Sequence, residues 1–295
     1  MSRLRRHLFT QRSPGRPRTR NNPHATLAIV KRYGQSQLHT DQREKAKMAF
    51  THRLLSSWAA LVHLTRKALQ LLGVLGWLDR WAQSSRVGLW IRSLFSLYDV
   101  EDFVRLDLPW WTLDSTSLVD DFLAQRTNAR VFEWGSGAST VWLEKRAGAV
   151  LSVEYDPEWH ALMLSMVGPK TTVIHTPAQF SKRPLVGSRM WGHKDLDYRN
   201  YVEAINQVAG DFDLIVIDGR ARTACLEKAV TRLAAGGMVV FDNTNRRRYQ
   251  SALDRLKEGF DDTTTTGLTP SLPWSTQTTL LRKHTGQDGV LHSYR

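Results

Sequence analysis

From residue 115 onward, apolar positions alternate between two rhythms. Ser115 to Gln125 carries them at helical spacing, and the run that follows, ending at Glu133, carries them without interruption, as a strand buried on both faces does. The exchange then repeats. A helix at Thr140 to Ala147 leads to a strand from Ala149 that ends in Glu154, a helix at Pro157 to Met166 and a short strand at Thr172 to His175. After an irregular stretch, Pro177 to Leu196, come helix Tyr198 to Ala209, strand Leu214 to Asp218, helix Thr223 to Ala234, strand Met238 to Asp242 and helix Arg247 to Glu258. Such alternation predicts an α/β fold, a parallel sheet with helices on both faces. The last two strands, Asp262 to Thr266 and Thr276 to Arg282, flank a loop with Pro270 and Pro273 and predict an antiparallel pair.

Upstream, Arg53 to about Ser96 has helical periodicity. His63, Arg66, Lys67, Gln70 and Gly73 share a polar face, and Leu61, Leu64, Ala68, Leu71, Leu75 and Leu78 line the apolar one. Six of the eleven tryptophans, Trp58, Trp77, Trp81, Trp90, Trp110 and Trp111, fall in this prefix or at its junction. They predict packing onto the following domain, with peripheral membrane contact or a dimer interface as alternatives, and the sequence leaves the oligomeric state open. The most apolar stretch, Leu54 to Trp81, is interrupted by His63, Arg66, Lys67, Asp79 and Arg80, short of the ~20 apolar residues a spanning helix needs.

Charge separates the chain further. Residues 1–50 hold 12 Lys and Arg against 2 acids, and the remaining 245 residues hold 29 against 26, so the net +13 resides mostly in a basic arm. Its Arg-, Ser-, Pro- and Asn-rich composition predicts disorder, and Met48, just before the helical pattern, is an alternative start. The division expected is an arm at 1–50, a Trp-rich prefix at 51–104 and an α/β domain at 105–295. A nearly neutral body favours a small-molecule partner over nucleic acid, although a basic arm can hold phosphates. No secretory signal is visible, and a single cysteine, Cys225, excludes an internal disulfide and suits a reducing, cytoplasmic setting.

The chemistry concentrates at Val131-Phe132-Glu133-Trp134-Gly135-Ser136-Gly137-Ala138-Ser139-Thr140, a strand that ends in an acid and a glycine-rich turn. Gly135 and Gly137 let a ligand lie against the backbone. Thr140 stands where the dinucleotide fingerprint has its third glycine, which argues against a nicotinamide-dependent dehydrogenase. Glu154, 17 residues after Gly137, can accept both hydroxyls of a ribose. With Ser152-Val153-Glu154-Tyr155-Asp156-Pro157-Glu158-Trp159, Asp213 to Gly219 and Ala234 to Asn243, the pattern resembles the ordered motifs of class I S-adenosylmethionine-dependent methyltransferases across residues 105 to 283.

That resemblance implies a Rossmann-like, seven-stranded, mostly parallel sheet and S-adenosylmethionine as cofactor. It places the methionine part at Glu133, Gly135, Ser136 and Gly137, with Ser139 and Thr140 opening the next helix, the ribose at Glu154, the adenine near His175 or Thr176, and Asp218 on the cofactor rim. Asp218, Asp242 and Asn243 resemble the Mg2+ site of catechol-type O-methyltransferases, in which case O-methylation of a small molecule by direct displacement is expected. Arg220 and Arg222 could instead neutralise these acids or bind an anionic acceptor. His193, in the insertion Arg189 to Lys194 with Trp191, is a candidate general base beside Asp218. RNA or protein methylation aided by the arm, and a non-catalytic binding module, are the alternatives.

Overall fold

A computed structural model describes residues 64–66, 68–96, 99–190 and 192–283. The basic arm, Met48, Trp58, Leu61, His63, Lys67 and Trp191 lie outside the described residues. Five parallel strands, β1 (Arg130–Trp134), β2 (Ala149–Glu154), β3 (Thr171–His175), β6 (Phe212–Ile217) and β7 (Leu233–Asp242), join β8 (Phe260–Gly267) and β9 (Thr276–Lys283) in one sheet. Its order is β3-β2-β1-β6-β7-β9-β8, with β9 antiparallel to both β7 and β8. The expected Rossmann-like seven-stranded architecture is therefore present. A two-residue hairpin, β4 (Gln179–Phe180) with β5 (Leu196–Asp197), lies within the insertion expected to be irregular.

The period of two along each strand builds two apolar layers. Phe132, Trp134, Ile215, Ile217, Val239 and Phe241 face one, which α7 (Arg199–Glu203) and α8 (Arg222–Ala229) cover with Tyr201, Val202, Cys225 and Leu226. Val131, Val150, Leu214, Val216, Met238 and Val240 face the other, against Val119, Phe122 and Leu123 of α4 (Leu113–Ala124) and Trp142 and Leu143 of α5 (Ala138–Glu144). Helix α6 (Pro157–Met166) starts where Asp156 accepts from the Trp159 N–H at 2.8 Å with proline at the first position. α9 (Gln250–Asp254) is shorter than predicted, following a 3-10 turn over Arg247–Tyr249. The helix expected to run from Tyr198 to Ala209 stops after one turn and continues as 3-10 over Ala204–Gln207. Trp134 Nε1 takes the Tyr201 carbonyl at 2.9 Å, the acceptor a continuing α-helix would offer residue 205.

The prefix corrects the expectation of one long amphipathic helix. Gly73, at φ 70°, interrupts it, and extended Ser85 separates α1 (Val74–Ser84) from α2 (Arg86–Ser93). The predicted faces do not hold before the break. Leu64, Ala68 and Leu71 are exposed, while Arg66 turns inward to Asp99 at 2.5 Å and Asp102 at 3.1 Å; among the described residues of the apolar face, Leu75 and Leu78 are the ones buried. α3 (Val100–Leu106) then packs Phe103 edge-on against Trp110, ring centroids 5.2 Å apart. Of the prefix tryptophans, Trp77 is exposed, Trp90 donates to the Leu272 carbonyl at 2.9 Å, and Trp111 is fully buried. No helix among the described residues is long and apolar enough to cross a membrane.

Candidate functional site

Strand order reverses between β1 and β6, and open parallel sheets place ligands at the carboxyl ends of the strands at such a switch point. The first turn there is built by close backbone approach. Gly135 has φ 97°, and a Cβ on it would lie 2.6 Å from the Gly219 Cα; a Cβ on Gly219 would lie 1.9 Å from the Tyr201 hydroxyl. The β1 and β6 turns thus rest directly on each other, which only glycines permit at these positions.

Glu133 is an internal organiser of this turn. Alternation sends its side chain into the α5 layer, where it is wholly buried and accepts from Ser139 Oγ and Thr140 Oγ1 at 2.5 Å and from Ser152 Oγ at 2.7 Å. Burial pushes its carboxyl up, against the three hydroxyls that lower it. Thr140 also accepts the Gly137 N–H at 2.9 Å, so Glu133, Ser139 and Thr140 fix the loop from beneath. The oxygens of these three side chains bond one another, Gly137 and Ser152.

Glu154 ends β2 across from the turn, only 3% exposed. Its Oε1 accepts from the N–H groups of Tyr155 at 2.8 Å and Asp156 at 2.9 Å, and its Oε2 from Ser136 Oγ at 3.1 Å. Burial raises this carboxyl to about 7, against the backbone and Ser136 hydrogen bonds that lower it. Two tryptophans frame the turn. Trp159 Nε1 donates to the Ser136 carbonyl at 2.7 Å, and Trp110 lies over Gly137, with the two indoles stacked at 6.5 Å. Neither was legible as a site residue. The signal for Trp159 was its place three residues after the N-cap Asp156, which turns it back over the strand end. His175 sits beside Glu154 in the β2–β3 register, exposed and stacked on His160, and Thr176 donates its N–H to the Glu154 carbonyl at 2.7 Å.

At the end of β6 the two arginines separate. Arg222 Nη2 donates to Asp218 Oδ1 at 2.6 Å, its Nη1 to the Asp242 carbonyl at 2.6 Å, and Nη1 stands 3.5 Å from Asp242 Oδ2. Thr278 Oγ1 donates to Asp242 Oδ1 at 2.7 Å, and Asn243 Nδ2 donates to Asp242 Oδ2. The Arg222 guanidinium thus already supplies beside both acids the positive charge that a divalent cation would bring, and the Asn243 amide is turned with Nδ2 toward Asp242. Asp218, Asp242 and Asn243 do not fit Mg2+ in this arrangement, and among the described residues no three His, Cys, Asp or Glu side chains gather as a metal site. Burial raises the Asp218 carboxyl to about 7, with Arg222 lowering it and the second acid, Asp242, raising it.

The insertion folds back over this rim. Asp197 is its pin, accepting from the backbone N–H groups of Leu185, Val186 and Arg199 at 3.1, 3.3 and 2.9 Å. His193 is buried, its Nδ1 hydrogen-bonded to the Tyr198 hydroxyl. Burial, aided by the charge of Arg220, lowers its pKa to about 4, so it is neutral at pH 7. Tyr155 meets His193, Tyr198 and Tyr201 edge-on at 5.9, 5.4 and 6.2 Å, and Arg220 Nε donates to the Tyr155 hydroxyl at 3.2 Å. Tyr155 had been noticed only as the neighbour of Glu154.

No protein-family model and no curated protein matches this chain. Among solved structures, it is similar to a methyltransferase-like protein from Silicibacter pomeroyi at 21% identity and TM-score 0.42, covering 61% of this chain and 90% of that one. It is also similar to the N-methyltransferase NodS from Bradyrhizobium japonicum at 17% identity and TM-score 0.38, covering 58% and 94%. An rRNA methylase from Streptococcus thermophilus aligns at 13% identity and TM-score 0.40, covering 58% and 97%. At these TM-scores the likenesses carry no weight for function.

Proposed function

We propose that this chain is an S-adenosylmethionine-dependent methyltransferase that methylates a small molecule, at oxygen, by direct displacement. The observation that supports this most is Glu154, a buried acid ending β2 beside a turn that tolerates only glycine at Gly135, at the switch point of the sheet. An acid there suits two vicinal ribose hydroxyls, and the Gly135–Gly137 backbone, roofed by Trp110 and floored by the Glu133 network, suits the methionyl part. When bound, the cofactor supplies an electrophilic methyl group on a sulfonium sulfur. The protein's share is placement, since alignment of nucleophile, carbon and leaving sulfur accounts for much of the rate in such a displacement. Asp218, with a carboxyl near neutrality at the same rim, is the residue assigned to take the acceptor's proton, and neutral His193 is the alternative base. The aromatic surroundings of Tyr155, His193 and Tyr198 favour a compact acceptor.

Calorimetric titration with S-adenosylhomocysteine tests the reading. The wild type binds it, and Glu154→Ala, which removes two charge-assisted hydrogen bonds of ~1.5 to 3 kcal/mol each, lowers affinity by about tenfold or more with the fold intact by circular dichroism. Binding of NADH in preference to S-adenosylhomocysteine would sink the class, and unchanged affinity in the variant would sink the ribose assignment. Release of S-adenosylhomocysteine from S-adenosylmethionine in the presence of an acceptor then separates an enzyme from a binding module.

A further inference from the structure

Arg220 and Arg222 leave the end of β6 two residues apart and reach opposite situations. Arg222 is saturated by Asp218, the Asp242 carboxyl group and the carbonyls of Asp218, Gly219 and Asp242. Arg220, only partly exposed, lies against the Tyr155 ring, its guanidinium carbon 5.4 Å from the centroid. Its single side-chain hydrogen bond goes from Nε to the Tyr155 hydroxyl at 3.2 Å, which leaves both terminal nitrogens without a carboxylate or an acceptor among the described residues. A guanidinium largely removed from water with no counter-charge is costly to keep. Held on an aromatic face with its two-pronged end free, it has the geometry that recognises carboxylate or phosphate.

The surroundings agree. The His193 and Tyr198 rings are nearly coplanar, 4° apart in orientation at 6.1 Å, and Tyr155 meets both edge-on. Arg246, Arg247 and Arg248, all exposed just past β7 on the same rim of the sheet, add positive potential that draws anions toward that rim. We infer that Arg220 is the anchor for an anionic group, carboxylate or phosphate, of an aromatic methyl acceptor seated against the partly exposed Tyr155, which the buried His193 and Tyr198 rings support from behind. The acceptor role rests on the methyltransferase reading; the anion site itself does not.

Calorimetry with benzoate, phenylphosphate and the neutral benzamide, on protein saturated with S-adenosylhomocysteine, tests this. The two anions bind the wild type and benzamide does not. Arg220→Gln weakens the anions by about tenfold or more, Arg220→Lys keeps part of the affinity, and both variants bind S-adenosylhomocysteine as the wild type does. Equal binding of benzamide and benzoate to the wild type, an experiment that needs no variant, overturns the inference. So does a wild type that binds neither anion at millimolar concentration, or undiminished anion binding by Arg220→Gln at an unchanged melting temperature. If Arg220→Gln weakens S-adenosylhomocysteine but not 5′-methylthioadenosine, which lacks the carboxylate, the guanidinium serves the cofactor and the acceptor assignment falls. Failure of the wild type to bind S-adenosylhomocysteine strikes the methyltransferase reading alone, and benzoate against benzamide on the unloaded protein then decides the anion site.

Discussion

Glu154 couples the ligand site to folding through its proton. Unfolded, this carboxyl titrates near its ordinary 4.5; folded, at about 7, so between those values the native state holds the extra proton and stability falls as pH rises. His193 acts in the opposite sense, because its ordinary 6.5 drops to about 4 on folding and stability rises with pH across that interval. Glu154→Gln removes only the first effect. Relative to wild type, the variant should therefore gain stability steadily from pH 4.5 to 7, by up to about 3 kcal/mol, in urea titrations at a series of pH values. Parallel curves would show that Glu154 ionises freely. The sequence marked Glu154, Gly135, Gly137 and Asp218 as strand-end and turn positions, because spacing from a strand end is a one-dimensional signal. It could not distinguish Glu133, spent on three hydroxyls, from Glu154, nor Arg222 from Arg220, because which partner a side chain meets is set by elements distant in the chain.

At the scale of elements, α1 and α2 are held to α3 by a buried ionic centre. Arg92, fully buried, donates to Asp102 at 2.9 and 3.0 Å, to Ser96 at 3.0 Å and to Asp79 at 2.6 Å, while Arg105 reaches Asp102 at 2.8 Å. Burial alone would raise the Asp102 carboxyl, but hydrogen bonds from Arg92, Ser96 and Arg105 hold it at about 2. Arg92→Met removes the one fully buried counter-charge of Asp102, leaving it Arg66 and Arg105, and should cost about 3 kcal/mol in urea unfolding, whereas Arg92→Met combined with Asp102→Leu should recover part of the loss. A double variant no better than the single would mean that packing, not charge, sets the cost. Of these charged groups the helical periodicity placed only Arg66, on the polar face, and its inward turn escaped the pattern because its partners Asp99 and Asp102 lie more than thirty residues further along the chain. On the rim, Arg222 in place of a cation predicts turnover that is indifferent to a chelator; loss of activity in EDTA that Mg2+ restores would contradict it.

For the whole molecule, the alternation of strand and helix made the sheet and its antiparallel end legible, since each strand is a continuous apolar run bounded by turn residues. The insertion was not legible, because a two-residue hairpin pinned by Asp197 has no periodicity to detect. Removing residues 1–98, so that the chain begins at Asp99, should lower the melting temperature and leave the protein prone to association, because α1 and α2 no longer cover Trp110, Leu268 and the 271–272 turn that Ser93 and Trp90 engage. Unchanged melting would show that the prefix is a separate unit. The contact of Gly135 with Gly219 has a kinetic consequence. The turn proposed to receive the methyl donor and the turn that carries Arg220 share one surface, so filling the first should settle the second. Substrates should accordingly add in a compulsory order, donor before acceptor. In initial-rate measurements a non-reacting acceptor analogue would then inhibit uncompetitively against S-adenosylmethionine, and noncompetitive inhibition, the random-order pattern, would mean that the two turns move independently.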